Sequence, residues 1–245
     1  MIDDLNAILT QYPPTARPSS PPELLGNAGG LSGARLWRFV SGQGRLVARC
    51  WPPEWPDRAA LEQIHRWLAE AGRIGFVPVP LANRSGRTFV EHAGRFWELA
   101  HWMPGQADLQ QPPALNRLHA GFTGLAAFHQ SLAHHQTAGA SPGLARRLRE
   151  LETWLGGGFD ELDRVLRKTP TDAGVDLARR WLRKAHPLAP RLAEEVRLAC
   201  ALIVPNQPCL RDVRPDHLLF EGDQLTGLVD FGAMATDSVA GDMAR

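Results

Sequence analysis

The chain lacks the features that would tie it to an oxidising compartment, a membrane or a nucleic acid. Its 245 residues hold three cysteines, Cys50, Cys200 and Cys209, widely spaced and without a Cys-x-x-Cys pair. That spacing argues against a disulfide frame or a zinc site and favours reduced thiols in a cytoplasm. No apolar run approaches the roughly 18 residues that cross a bilayer. The opening Met1-Ile-Asp-Asp-Leu5 is acidic and has no apolar core, so it does not read as a signal peptide. Charge of one sign is missing too. Twenty-seven basic residues against 26 acidic leave a formal charge of +1, with no basic run, so there is no nucleic-acid footprint. There is no internal repeat. Tyrosine occurs once against eight tryptophans, which are read as core by default.

What is present suffices for a sizeable core: 44% of residues are hydrophobic, in a length that suits one large domain or two small lobes. Residues 3–12 fit a short amphipathic helix, with Ile2, Leu5, Ile8 and Leu9 apolar. Pro13–Pro22 breaks regular structure and reads as an extended linker or a strap. Residues 1–25 are therefore set apart. From Leu24 to Cys50 the pattern is strand-like, with a turn at Ser41-Gly-Gln-Gly44. A helix is predicted over 57–72 and a hairpin over 86–103, turning at Ala93-Gly94. These make a small antiparallel-sheet lobe over 26–104. From 105 to 245 the texture is helical, with helices predicted at 114–136, 143–155, 159–168, 172–185 and 189–201. Strands return only at 217–229. The fold class is α+β, with two lobes.

The richest stretch is Cys209-Leu-Arg-Asp-Val-Arg-Pro-Asp-His-Leu-Leu-Phe220, a turn at Glu221-Gly-Asp223, then Leu225-Thr-Gly-Leu-Val-Asp-Phe-Gly232. A hairpin here brings Asp212 and Asp230 to one end of the ribbon. One carboxylate can accept a proton from an attacking hydroxyl while the other holds a metal ion, the minimal kit for phosphoryl transfer from a nucleotide.

The pattern Asp212-x-x-x-x-His217 followed by Asp230-Phe231-Gly232 resembles the catalytic loop and metal motif of kinase-like folds. It is most similar to the aminoglycoside phosphotransferase and choline kinase-like superfamily, whose usual loop is His-Gly-Asp-Leu-His-Pro-Gly-Asn. Here Leu210 stands for the leading His and His217 for the metal-binding Asn. Gly29-Gly-Leu-Ser-Gly33, Leu46-Val-Ala-Arg49, the segment Ala60–Leu68, Phe76–Pro80, Trp102–Gly105 and Leu125–His129 follow in the family's order.

The resemblance implies a protein-kinase-like fold with a catalytic hairpin in the helical lobe. It implies transfer of phosphate from ATP or GTP to a hydroxyl of a small molecule, with Mg²⁺ or Mn²⁺ as cofactor. Asp212 is then the base and Asp230 a metal ligand; the bland reading of Asp230 is a helix N-cap. His217 is either a second metal ligand or a structural histidine bonded to the loop. Gly29, Gly30, Ser32 and Gly33 would approach phosphates through backbone N–H groups and a hydroxyl. Arg49 would hold phosphates, with Glu62 as ion-pair partner; both are otherwise solvated residues. The segment Glu98–His101, including Leu99 and His101, would be the hinge offering backbone groups to adenine. Asp242 is expected to be structural. Helices within 143–201 would form the acceptor pocket, whose charge the sequence leaves open. The chain stops at Gly241–Arg245, inside an expected helix, where kinase-like folds continue. No nucleic-acid or membrane partner is expected. The rival reading is an inactive pseudokinase that binds nucleotide or serves as an interaction module.

Overall fold

The computed structural model describes residues 2–25, 33–109 and 114–244. In chain order its elements are α1 (Ile2–Leu9), β1 (Glu23–Leu24), β2 (Arg35–Ser41), β3 (Gly44–Cys50), α2 (Arg58–Ala71), β4 (Val90–His92), β5 (Arg95–His101), α3 (Leu115–Ser131), β6 (Thr137–Gly139), α4 (Pro142–Thr153), α5 (Phe159–Lys168), α6 (Ala173–Cys200), β7 (Val204–Cys209), β8 (Leu218–Glu221), β9 (Gln224–Leu228), β10 (Ala235–Asp237) and α7 (Ala240–Met243). Two compact units result. The first holds the described residues up to His134 together with Leu210–Ala235; the second holds His135–Cys209 and Thr236–Ala244.

The first unit is built on a five-stranded antiparallel sheet, ordered β1-β2-β3-β5-β4. Its hairpins follow from local chemistry. Ser41 pairs with Gly44 across a two-residue loop, and Gly44 takes φ 93°. Ala93 and Gly94 both take positive φ, 51° and 69°, which matches the right-handed twist of the strands β4 and β5 that they join. Alternation then sorts the side chains. Trp37, Phe39, Leu46, Ala48, Cys50, Trp97 and Leu99 share one buried face, covered by Leu5, Ile8, Leu9 and Tyr12. Burying each large apolar side chain is worth about 1.5–3 kcal/mol. The proline-rich segment is a strap: Ser19 N donates to Val40 O at 2.8 Å and Leu25 N to Leu36 O at 2.9 Å.

A second core contains Ile64 and Leu68 of α2, Phe128 of α3, and Leu210, Leu218, Phe220, Leu228, Phe231 and Met234 around the β8–β9 hairpin. Helix α2 starts where Asp57 Oδ1 accepts from Ala60 N at 2.8 Å. The chain leaving β5 passes flush over the hairpin. Gln106 and Phe220 exchange two backbone hydrogen bonds of 3.0 Å. Gly105, at φ 94°, has no room for a Cβ, which would stand 3.0 Å from the Phe220 backbone and 2.4 Å from Thr226 Oγ1. Only glycine fits there.

The second unit departs from expectation in two ways. The helices expected at 172–185 and 189–201 are one 28-residue helix, α6, running through Pro187 and Pro190. A proline interrupts one backbone bond and bends a helix without having to end it, and here both prolines are carried by a helix whose buried stripe continues through Val175, Leu182, Ala189 and Ala193. The unit also holds an unexpected three-stranded sheet, ordered β10-β7-β6. Strand β7 reads Val-Pro-Asn-Gln-Pro-Cys, and its two prolines hide the alternation that marks a strand. Asp237 ties β10 to the start of α4, accepting from Ser141 Oγ at 2.7 Å and Gly143 N at 3.1 Å. Asp242 is buried in α7. All three cysteines are free thiols. Among the described residues, no helix is long and apolar enough to cross a membrane.

Candidate active site

The β8–β9 hairpin sets the geometry. A short turn opened by Pro215 places His217 N within 3.0 Å of Arg214 O, and Val229 N donates to His217 O at 3.0 Å. Asp230, the next residue, is thereby brought beside the imidazole: Nε2 of His217 lies 3.6 Å from Oδ2 of Asp230. The other ring nitrogen, Nδ1, donates to the Asp212 carbonyl at 2.8 Å. A carbonyl only accepts, so Nδ1 carries the proton. Nε2 is therefore the ring nitrogen that faces Asp230. One histidine thus links the loop of the expected base to the expected metal ligand. Asp212 itself is half-buried.

Two residues in this loop carry left-handed backbone, Arg211 at φ 65° and Asp230 at φ 64°. Such conformations cost non-glycine residues about 1–2 kcal/mol, less for Asp, and persist only where surroundings impose them. Arg211 stands where the resembling loop has glycine, so the turn survives the substitution. Leu210, in place of the leading histidine, is 2% exposed and joins the second core.

Arg49 comes from the sheet. It lies opposite Glu98 in the β3–β5 register, on the face away from α1. Its Nε is 3.7 Å from Glu98 Oε1, and its Nη1 is 3.4 Å from Asp230 Oδ1. The guanidinium sits 4.6 Å from the centroid of the Trp51 ring. Glu98, 12% exposed, accepts from His65 Nε2 at 2.8 Å and from Trp51 Nε1 at 2.8 Å. His65 Nδ1 meets Thr88 Oγ1 at 2.7 Å. Burial pushes the Glu98 carboxyl up. The hydrogen bond and charge of His65, then the Arg49 charge and the Trp51 N–H, outweigh it and hold the carboxyl below its ordinary value.

These contacts correct one expectation. The carboxylate partner of Arg49 within the sheet is Glu98, and α2 reaches it through His65. Glu62 is exposed, off the helix face that buries Leu61, Ile64, His65 and Leu68. Glu62 and His65 are three residues apart, about 60° around the helix, so His65 falls on the buried side beside Ile64 while Glu62 faces solvent. Leu99 and His101 are not brought to Arg49 either. The strand alternates, so Leu99 is buried on the α1 face with His101 following it, and the Leu99 carbonyl accepts from Leu81 N at 2.7 Å. Strand β5 continues to His101, and Trp102 N still donates to Arg45 O at 2.9 Å. Gly29, Gly30 and Ser32 lie outside the described residues. Gly33 is described and takes φ 71°, with open space where a Cβ would be.

The reading of the sequence did not single out His65, Trp51 or Trp55, and named Glu98 only as part of the hinge. The available signal was a lone carboxylate inside the apolar run Phe96-Trp-Glu-Leu-Ala100. Such a group needs buried partners.

A carboxyl held below its ordinary 4.5 contributes stability in full above that value and loses it as pH falls through the lowered one. Glu98→Gln should therefore melt below wild type near neutral pH. The gap should shrink as pH falls below about 4.5. A gap that stays constant across thermal melts in that window would show that Glu98 is not ionised in the fold.

Comparison with known proteins agrees with this architecture. The model of the phosphotransferase enzyme family matches residues 23–245. No curated protein sequence matches the chain. Among solved structures, the aminoglycoside phosphotransferase of Alicyclobacillus acidocaldarius is 19% identical, with a TM-score of 0.55 over 98% of this chain and 69% of its own. A spectinomycin phosphotransferase solved with ADP and spectinomycin is 12% identical, with a TM-score of 0.60 over 91% of this chain and 66% of its own. An aminoglycoside phosphotransferase mutant in ternary complex with AMP-PNP and hygromycin B is 12% identical, with a TM-score of 0.56 over 90% and 69%. The chain thus spans about two thirds of the length of these proteins. At these identities the likeness is one of fold, kinase-like with an antiparallel sheet and helices. The family match, over nearly the whole sequence, goes further: the chain belongs to the phosphotransferase enzyme family.

Proposed function

We propose that the chain transfers the terminal phosphate of ATP or GTP to a hydroxyl of a small molecule. The observation that carries this reading is the convergence of Arg49, Asp230 and His217, with the backbone carbonyl of Asp212 bonded to the same imidazole. A cation from the sheet, a half-exposed carboxylate and an imidazole nitrogen meet at one point. That is a donor set for a phosphate chain and its counter-ion. Two of the solved relatives are complexes, one with ADP and spectinomycin and the other with AMP-PNP and hygromycin B. For this chain the acceptor is taken no further than a hydroxyl compound.

The donor set fits a divalent ion. Asp230 offers an oxygen and His217 Nε2 a nitrogen, and the Nδ1–H bond to a backbone carbonyl is the support that metal-bound imidazoles ordinarily have. When bound, the ion would neutralise phosphate charge as the transferring group loosens. The chain's own residues do the rest. Arg49 holds phosphate oxygens, and Glu98 and Trp51 keep its guanidinium in place. Asp212 orients the acceptor hydroxyl and takes its proton as the new O–P bond forms and the bond to the nucleoside diphosphate breaks. Because positioning dominates phosphoryl transfer, that proton transfer comes late.

Asp212→Asn should leave nucleotide affinity nearly intact and lower turnover by roughly 10²–10⁴-fold, the usual contribution of a general base. The test is a screen of hydroxyl metabolites with nucleotide consumption as readout, then the variant on the best acceptor. A mutant within a few-fold of wild type would remove Asp212 from the mechanism. Nucleotide binding by the wild type without turnover on any acceptor would favour the pseudokinase.

The imidazole donor should also set the metal preference. Nitrogen suits manganese better than magnesium, which prefers oxygen. Wild type should therefore bind nucleotide more tightly with Mn²⁺ than with Mg²⁺, and His217→Asn should shift the preference toward Mg²⁺. Identical metal profiles for both proteins, measured by calorimetry, would make His217 structural.

A further inference from the structure

Asp230 is left-handed and 45% exposed in its side chain. The conformation needs restraint from its surroundings. On one side Phe231 supplies it: this ring is 5% exposed, 5.8 Å from the Phe128 ring centroid, and its carbonyl accepts from Met234 N at 3.0 Å. On the other side stand two indoles from the segment joining β3 to α2. Trp55 Nε1 donates to Gly232 O at 2.7 Å, across a sequence separation of 177. Trp51 lies against Gly232 so closely that a Cβ there would sit 3.1 Å from Cζ3 and 3.3 Å from Cη2 of its ring. The same indole stacks under Arg49 and donates to Glu98. One side chain therefore touches both the phosphate-facing cation and the segment of the carboxylate.

Core packing explains Trp51, which is 4% exposed, but not Trp55, which is 46% exposed. A large indole left half in solvent and bonded to one backbone carbonyl is out of place as filler. The geometry points to Trp51 and Trp55 as positioning residues. Together they pin Asp230-Phe231-Gly232 so that the Asp230 carboxylate stays between Arg49 and His217. This role rests on the phosphotransferase reading above. It predicts that the grip is felt in metal use: loosening the segment should disperse the carboxylate and weaken the ion's contribution to nucleotide binding.

Trp55→Phe keeps an aromatic ring but removes the N–H with part of the indole, and because Trp55 is half in solvent the core is left alone. Two readouts decide. Amide hydrogen exchange of residues 230–234 in the unliganded protein should quicken, while exchange in β2 and β3 stays unchanged. The Mn²⁺ concentration giving half-maximal AMP-PNP binding by calorimetry should rise roughly three- to tenfold, the worth of one hydrogen bond. Unchanged exchange at 230–234 would overturn the proposal. So would faster exchange with an unmoved Mn²⁺ midpoint, since a merely structural indole would do that. Gly232→Ala, whose Cβ meets Trp51, should move both readouts the same way and serves if Trp55→Phe fails to fold. If wild type bound no nucleotide with Mn²⁺ or Mg²⁺, the phosphotransferase reading would fail, while the exchange arm would still decide whether Trp55 restrains the segment.

Discussion

Arg49 sits at the centre of the first unit's site. Its side chain is 19% exposed, so its charge has lost most of its water and must be met within the protein. Three groups meet it: the Glu98 carboxylate across the strand pair, the Trp51 ring beneath it, and the Asp230 carboxylate from the hairpin. Remove the guanidinium and Glu98 becomes a buried carboxylate supported only by His65 and Trp51. Remove Glu98 and Arg49 is left with the Trp51 ring and the more exposed Asp230. The nearly buried pair is fixed by register, since Arg49 and Glu98 face each other on neighbouring strands.

This arrangement ties α2 to the site in an unusual way. The helix contributes an imidazole, and the acidic group comes from the sheet itself. His65 is 3% exposed in its side chain and bonded at both nitrogens, to Glu98 and Thr88. A shift of α2 would be transmitted to Arg49 through Glu98. The hairpin side is organised by the same logic. His217 is bonded at Nδ1 to the loop of Asp212 and faces Asp230 with Nε2. Both histidines act as spacers that hold carboxylate-bearing segments at set distances.

Much of the first unit was legible because its signals are local. The turns at Gly42-Gln43 and Ala93-Gly94, the helix α2, and the β8–β9 ribbon closed by Gly222 each follow from residues close in sequence. Asp212, His217 and Asp230 were singled out from spacing along one ribbon, and the fold sets the His217 ring between the Asp212 carbonyl and Asp230. What escaped depends on contacts between distant segments. Glu98 meets Arg49 through strand order, which no window of sequence displays. Trp55 reaches Gly232 across most of the chain. Glu62 was chosen by position in a familiar order, yet the helix turns it to solvent and turns His65 inward. In the second unit, Pro205 and Pro208 concealed a strand, while the break expected between residues 185 and 189 is one that α6 does not make.

Arg49 and Asp230 are proposed to meet in order to hold nucleotide phosphates and their metal ion. Calorimetric titration of ATP into wild type and Asp230→Ala, each with Mn²⁺ and with a chelator, tests it most directly. Binding to wild type should depend on the ion, and the variant, still folded by circular dichroism, should lose that ion-dependent part. Equal affinities for the two proteins in the presence of Mn²⁺ would contradict the claim.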